Sequence, residues 1–76
     1  MSYLIQLTEN REDGYTTTLH CSEKQLNRLE QLSNAGGFKR FDIDVFKETK
    51  QRPTQKDKTA LNQFLQNIKL FNEPNI

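Results

Sequence analysis

The tetrapeptide SEKQ, residues 22–25, marks the point where the sequence changes from a strand pattern to a helix pattern. Ser22 and Gln25 have the spacing of a capping box, in which each side chain binds the backbone amide of the other residue. Apolar side chains then recur at every third position, at Leu26, Leu29, Leu32 and Ala35. This pattern predicts a helix of about three to four turns, and the glycine pair Gly36 and Gly37 predicts its end.

Two segments with alternating apolar and polar side chains precede this helix and predict a β-hairpin. The first is YLIQLT, residues 3–8, and the second is YTTTLHC, residues 15–21. The second segment is rich in the β-branched and aromatic side chains that favour strands. The polar connector ENREDG ends in Gly14, which we expect to adopt a positive φ.

A third alternating segment and a second helix pattern complete the chain. The segment FKRFDIDVFKE, residues 38–48, predicts a strand whose inner face carries Phe41, Ile43 and Val45. Pro53 and Thr54 predict the start of a helix, because Thr54 and Asp57 have the capping-box spacing. We expect this helix to extend to about Asn72, since apolar residues follow a helical spacing at Leu61, Phe64, Leu65, Ile68 and Phe71.

The order of the elements, ββαβα, predicts one small α+β domain over residues 1–72 and a tail at residues 73–76. A strand–helix–strand connection crosses over in the right-handed sense. The simplest arrangement is therefore a three-stranded sheet with strand 1 in the middle and both helices packed on one face. A sheet with strand 3 beside strand 2 is the alternative.

Composition and charge exclude several classes of protein. The chain has 76 residues and a net charge of +1, too little for binding through overall charge alone. Its single cysteine cannot form an internal disulfide. It has no apolar run of the roughly 20 residues that span a bilayer, and its N-terminus lacks the features of a signal peptide. We therefore expect a soluble cytoplasmic protein that contacts no membrane and uses no cofactor.

The only histidine and the only cysteine, His20 and Cys21, are adjacent and suggest a catalytic pair. Consecutive strand residues point to opposite faces, so these two side chains are not expected to share a proton. Cys21 precedes the predicted N-cap and pairs with Leu26 in the spacing of a hydrophobic staple. A zinc site needs about four ligands, so we predict neither a metal site nor a catalytic residue. Asp42 and Asp44 fit the polar half of an amphipathic strand.

The predicted outer face of the sheet and the connector after strand 3 form the candidate binding surface. Leu4 and Phe46 lie among polar residues on this face, the mixed composition that protein partners recognise. The connector KETKQRPTQKDK, residues 47–58, has an excess of basic side chains that can contact phosphates. The residues that we assign to partner binding are Arg40, Asp42, Asp44, Phe46, Lys47, Lys50 and Arg52.

We therefore expect a small non-enzymatic protein, a monomer or homodimer, that binds another protein and modulates it, for example as an inhibitor. Phage- or plasmid-encoded inhibitors are often of this size, which is an analogy of size alone. The alternative is a small nucleic-acid-binding regulator that uses the basic side chains of Lys47, Lys50, Arg52, Lys56 and Lys58. An enzyme is the least favoured reading, with Cys21 as its best candidate nucleophile.

Overall fold

The computed structural model describes residues 1–10, 12–35 and 41–68. Its elements are β1 (Ser2–Glu9), β2 (Thr16–Ser22), α1 (Glu23–Ala35), β3 (Phe41–Thr49) and α2 (Gln55–Asn67). These elements confirm the predicted order and the α+β fold of a three-stranded sheet with two helices. The predicted tail, at residues 73–76, lies outside the described residues.

The sheet has the strand order β2-β1-β3, and β1 is antiparallel to both of its neighbours. β2 and β3 therefore run parallel to each other at the two edges, which is the simplest of the predicted arrangements. Helix α1 has 13 residues and a length of about 20 Å. It returns the chain along the sheet, so that β3 starts at the same end as β2. The alternative with β3 beside β2 is wrong.

The β1–β2 hairpin is closed by a hydrogen bond from the backbone N–H of Glu9 to the carbonyl oxygen of Tyr15, at 2.8 Å. β2 begins at Thr16, one residue later than predicted. The ring of Tyr15, just before the strand, lies against that of Phe64 at a centroid distance of 6.0 Å. A side chain at Gly14 would place its Cβ 2.9 Å from the carbonyl carbon of Glu9. Glycine is therefore required here by the close approach of two backbone segments, not by the positive φ that we expected.

Helix α1 begins with the predicted capping box. The Ser22 hydroxyl accepts from the Gln25 amide at 3.1 Å, and the Gln25 side chain accepts from the Ser22 amide at 3.0 Å. The amide of Glu23 donates to the carbonyl oxygen of Met1 at 3.3 Å, which ties the start of β1 to the start of the helix. Leu26 and Leu29 are buried, Leu32 is partly buried and Ala35 is exposed. The buried stripe is thus shorter than predicted.

Helix α2 also begins with its predicted capping box. The Thr54 hydroxyl accepts from the Asp57 amide at 3.3 Å, and the Asp57 carboxylate accepts from the Thr54 amide at 2.8 Å. The helix ends at Asn67 with Ile68 as its C-cap residue. This end comes before the predicted end near Asn72, and residues 69–76 lie outside the described part of the chain.

The hydrophobic core lies between the helices and one face of the sheet. Phe41 and Phe64 are fully buried at its centre, with their rings edge to face at a centroid distance of 5.6 Å. The other buried apolar residues are Ile5, Leu7, Leu19, Cys21, Leu26, Leu29, Leu61, Leu65 and Ile68. Val45 was expected on this face and is paired with Ile5, but it is 48% exposed, because the helices lie mainly against β2 and β1 and cover little of β3.

Candidate interaction surface

The residues that first suggested catalysis are separated by the fold. Cys21 is fully buried and belongs to the same core cluster as Leu26, as the predicted staple requires. Burial, with a smaller contribution from the negative charge of Asp57, raises the pKa of the Cys21 thiol to about 11. The neighbouring His20 is partly exposed at the end of β2. A buried thiol with a raised pKa has few of the properties of a nucleophile.

Asp57 has a structural role that the sequence did not reveal. Its Oδ1 accepts a hydrogen bond from the backbone amide of His20 at 3.1 Å, while its Oδ2 accepts from Thr54. Burial alone would raise the pKa of Asp57, but the Thr54 and His20 hydrogen bonds and the nearby imidazole outweigh it and lower the pKa. The carboxylate therefore joins the start of α2 to the end of β2.

The same contact covers part of one edge of the sheet. His20 pairs with Leu4 in β1, and its amide is bound by Asp57 rather than by a neighbouring strand. Helix α2 makes most of its contacts with the sheet through β2. The edge at β2 is therefore partly covered by the start of a helix, which is one way in which proteins block strand addition.

The other edge, formed by β3, is covered only at its start. The hydroxyl of Ser33 in α1 donates to the carbonyl oxygen of Phe41 at 2.8 Å. Beyond Phe41, no described residue pairs with the side of β3 that faces away from β1. We call this side of residues 42–48 the open edge. Five consecutive residues within it, residues 44–48, are exposed.

A β-bulge lies in the middle of the open edge. Val45 pairs with Ile5 and Lys47 pairs with Leu4, so that Phe46 has no partner in β1. The bulge reverses the alternation of faces and places Lys47 beside Leu4 on the outer face, contrary to the predicted parity. Val45 and Phe46 are 48% and 54% exposed, and they form an apolar pair flanked by the exposed, charged Asp44, Lys47 and Glu48.

The backbone of the open edge has groups available for hydrogen bonding. In an antiparallel ladder, alternate residues direct their N–H and C=O groups toward and away from the neighbouring strand. The carbonyl of Phe41 points toward Ser33 and therefore away from β1. Ile43 and Val45 follow Phe41 at every second position, so their N–H and C=O groups also point away from β1. These two residues lie two positions apart, the spacing that an added strand needs.

The structure brings most of the predicted binding residues onto one continuous region. Asp42, Asp44, Phe46 and Lys47 lie on β3 and are exposed, and Lys50 and Arg52 follow in the exposed connector. Arg40 lies outside the described residues. Val45 was missed because alternation assigned it to the core. The sequence signal at this position is the charged Asp44 before Val45 and the charged Lys47 and Glu48 shortly after it.

Two hollows on the described surface lie beside helix α1, and the second of them includes Asp42 and Ile43 of the open edge. One, of about 470 Å³, lies between the helices over Leu29, Leu32, Leu61 and Leu65, with Lys24 and Arg28 among its lining residues. The other, of about 450 Å³, lies between α1 and the start of β3. Neither hollow is lined by His20, Cys21 or Asp57.

Within the described ranges, no three His, Cys, Asp or Glu side chains are grouped so that they could hold a metal ion. None of the described helices is long and apolar enough to span a membrane. No protein-family model, curated protein or solved structure matches the chain.

Proposed function

We propose that the protein is a non-enzymatic interaction module that binds another protein through the open edge of β3 and modulates it. The observation that carries the proposal is the exposure of Val45 and Phe46, 48% and 54%, in the middle of an edge strand. Exposed edge strands with apolar side chains are rarely left unprotected, because they pair with other chains. A partner that covers them gains buried apolar surface and backbone hydrogen bonds together.

The composition of this surface supports recognition of a protein. Interface cores are enriched in aromatic side chains, whereas charged side chains lie at the rim. Phe46 supplies an aromatic anchor, with Asp44 and Lys47 beside it. Lys50 and Arg52 extend the charged rim along the connector. Burial of the Cys21 thiol favours a binding role over catalysis by the best candidate nucleophile.

The proposal is tested by affinity capture from host lysate, followed by binding measurements with the purified partner. The test variant is Phe46→Ala with Asp44→Ala, and we expect it to weaken binding by about tenfold or more, as for an aromatic hot spot. The matched control is Thr16→Ala with Thr18→Ala, which changes two exposed residues of β2. A test variant that folds normally and binds as tightly as the control would exclude this surface.

A second candidate function, binding of nucleic acid, is favoured by the connector. Its basic residues Lys47, Lys50, Arg52, Lys56 and Lys58 are all exposed. Asp57, one of its two acidic residues, is directed toward Thr54 and His20, which leaves Glu48 as the exposed acid. The same carboxylate occupies the start of α2, where a phosphate would otherwise be bound by the helix amides. This placement makes nucleic acid the weaker candidate.

Salt dependence separates the two functions. Phosphate contacts release counterions, so the logarithm of the affinity falls steeply with the logarithm of the salt concentration. Lys50→Glu with Arg52→Glu removes two of the cations, and nucleic-acid binding should then weaken and lose part of its salt dependence. Retention of nucleic acid that is unchanged by this double substitution would rule out the connector as its site.

A further inference from the structure

We infer that the partner contributes a β-strand with alternating basic and β-branched residues, which adds to β3 as the fourth strand of the sheet. This inference rests on the proposed function and specifies the chemistry of its partner. Three observations carry it: the outward backbone groups of β3, the position of its carboxylates, and the incompatibility of β3 with a second copy of itself.

The backbone of β3 defines how the partner is held. Ile43 and Val45 direct their N–H and C=O groups away from β1, and no described residue binds them. An extended segment placed at this edge satisfies both residues with main-chain hydrogen bonds, which is the basis of strand addition. The bulge at Phe46 interrupts the regular ladder, so the regular part of the edge is residues 41–45.

A second copy of the chain fits this edge poorly. Asp42 and Asp44 lie on the same face of β3, and both are exposed. A symmetric antiparallel pair centred on Ile43 places Asp42 opposite Asp44, whereas centring on Asp44 or Asp42 places that residue opposite its own copy. Each of these three registers therefore opposes two carboxylates, and like charges directly opposite each other destabilise a strand pair.

The same carboxylates select the partner's side chains. A strand that pairs with β3 presents side chains opposite Asp42 and Asp44 on one face and opposite Ile43 and Val45 on the other. Lysine or arginine opposite the two aspartates forms cross-strand ion pairs, and valine or isoleucine extends the apolar contact of Val45. Alternation of basic and β-branched residues meets both requirements.

The probe for the test is a synthetic peptide of about nine residues with alternating lysine and valine, a common strand length. The control peptide has glutamate in place of lysine, so it keeps the valines and the backbone. Titration of the whole protein, followed by NMR chemical shifts, should show binding of the lysine peptide with the largest shifts in β3. The glutamate peptide should bind about tenfold more weakly or not at all.

Two variants locate the interaction. Asp42→Lys with Asp44→Lys should reverse the preference, so that the glutamate peptide binds more tightly than the lysine peptide. Val45→Pro removes an outward N–H and should abolish binding of either peptide. Thr18→Pro is its matched control: Thr18 is exposed on β2 and directs its amide outward like His20, so peptide binding should persist.

Several results would overturn the inference. Equal binding of the two peptides to the wild-type protein would show that the carboxylates do not select the partner. Shifts confined to β2 or to the helices would place the strand elsewhere. Sedimentation that shows a dimer lost in Val45→Pro would identify a second copy as the occupant. If neither peptide binds while a captured protein still depends on Phe46, the inference fails and the proposed function stands.

Discussion

The carboxylate of Asp57 binds the backbone amide of His20 at 3.1 Å, across 37 residues of sequence. This bond satisfies an amide at the edge of the sheet and at the same time fixes the first turn of α2. Because one side chain serves both elements, its removal should affect the whole domain and not the helix end alone.

We expect Asp57→Ala to lower the free energy of unfolding by about 1–3 kcal/mol, the combined cost of a lost helix cap and an unsatisfied amide. Urea denaturation, followed by circular dichroism, measures this change. Lys56→Ala is the matched control, since Lys56 is exposed in the same helical turn and should cost less than about 0.5 kcal/mol. Equal stabilities of the two variants would show that the carboxylate is dispensable.

The lowered pKa of Asp57 predicts a specific dependence of stability on pH. A carboxyl with a folded-state pKa below its unfolded value of about 3.9 stabilises the fold above that pH. The stabilisation is lost as the pH falls through the folded-state pKa. The difference in unfolding free energy between wild type and Asp57→Asn should therefore shrink as the pH falls below about 4. A difference that stays the same at all pH values would contradict this assignment.

The thiol of Cys21 should be unreactive in the folded protein. A pKa of about 11, against an ordinary value of 9.0, reduces the thiolate fraction at neutral pH by about 100-fold, and burial excludes the reagent. Labelling with a disulfide reagent should therefore be slow in buffer and fast in urea, and no other thiol contributes to the signal, because the chain has one cysteine. Rapid labelling in buffer would show that the core opens at β2.

The features that the sequence predicts well are those whose partners are close along the chain. Both capping boxes join residues three positions apart, Ser22 with Gln25 and Thr54 with Asp57, so their motifs suffice to predict them. Alternation separated His20 from Cys21 because a regular strand has a fixed period. The chain order of the elements, with the right-handed crossover, then favoured β1 as the central strand.

The features that the sequence does not predict are those that depend on where elements distant along the chain meet in the fold. The bulge at Phe46 arises from the pairing of β3 with β1, and no glycine or other local signal marks it. The bond from His20 to Asp57 requires α2 to lie against β2, which no short motif specifies. The exposure of Val45 likewise depends on how much of β3 the helices cover. The main elements of the candidate site, the open edge and its bulge, therefore emerge only in the folded chain.

The aromatic pair in the core should be essential for folding. Phe64 is fully buried, with its ring edge to face with that of Phe41. Phe64→Ala should cost about 3–5 kcal/mol, which is comparable to the whole stability of a domain of this size. We expect loss of dispersion in the proton NMR spectrum. The control variant Gln63→Ala, at the adjacent exposed position, should keep the dispersion of the wild-type spectrum. A folded Phe64→Ala variant would show that the core tolerates a large cavity.

The turn of the hairpin should reject a side chain at Gly14. A Cβ there lies 2.9 Å from the carbonyl carbon of Glu9, so backbone must move to admit it. Gly14→Ala should lower the free energy of unfolding by about 1–3 kcal/mol, measured by urea denaturation. Asp13→Ala, at an exposed position of the same turn, should have little effect. A stable Gly14→Ala variant would indicate that the two backbone segments separate easily.

The two oxygens of Asp57 also bear on the order of events during folding. Oδ2 binds Thr54, three residues away, and this bond can form as soon as the first turn of α2 is present. Oδ1 binds His20, and that bond has to wait until β2 has been placed beside the helix. Substitutions at Thr54 and at Asp57 should thus have different effects on the folding rate, because they report on local and long-range contacts in the transition state.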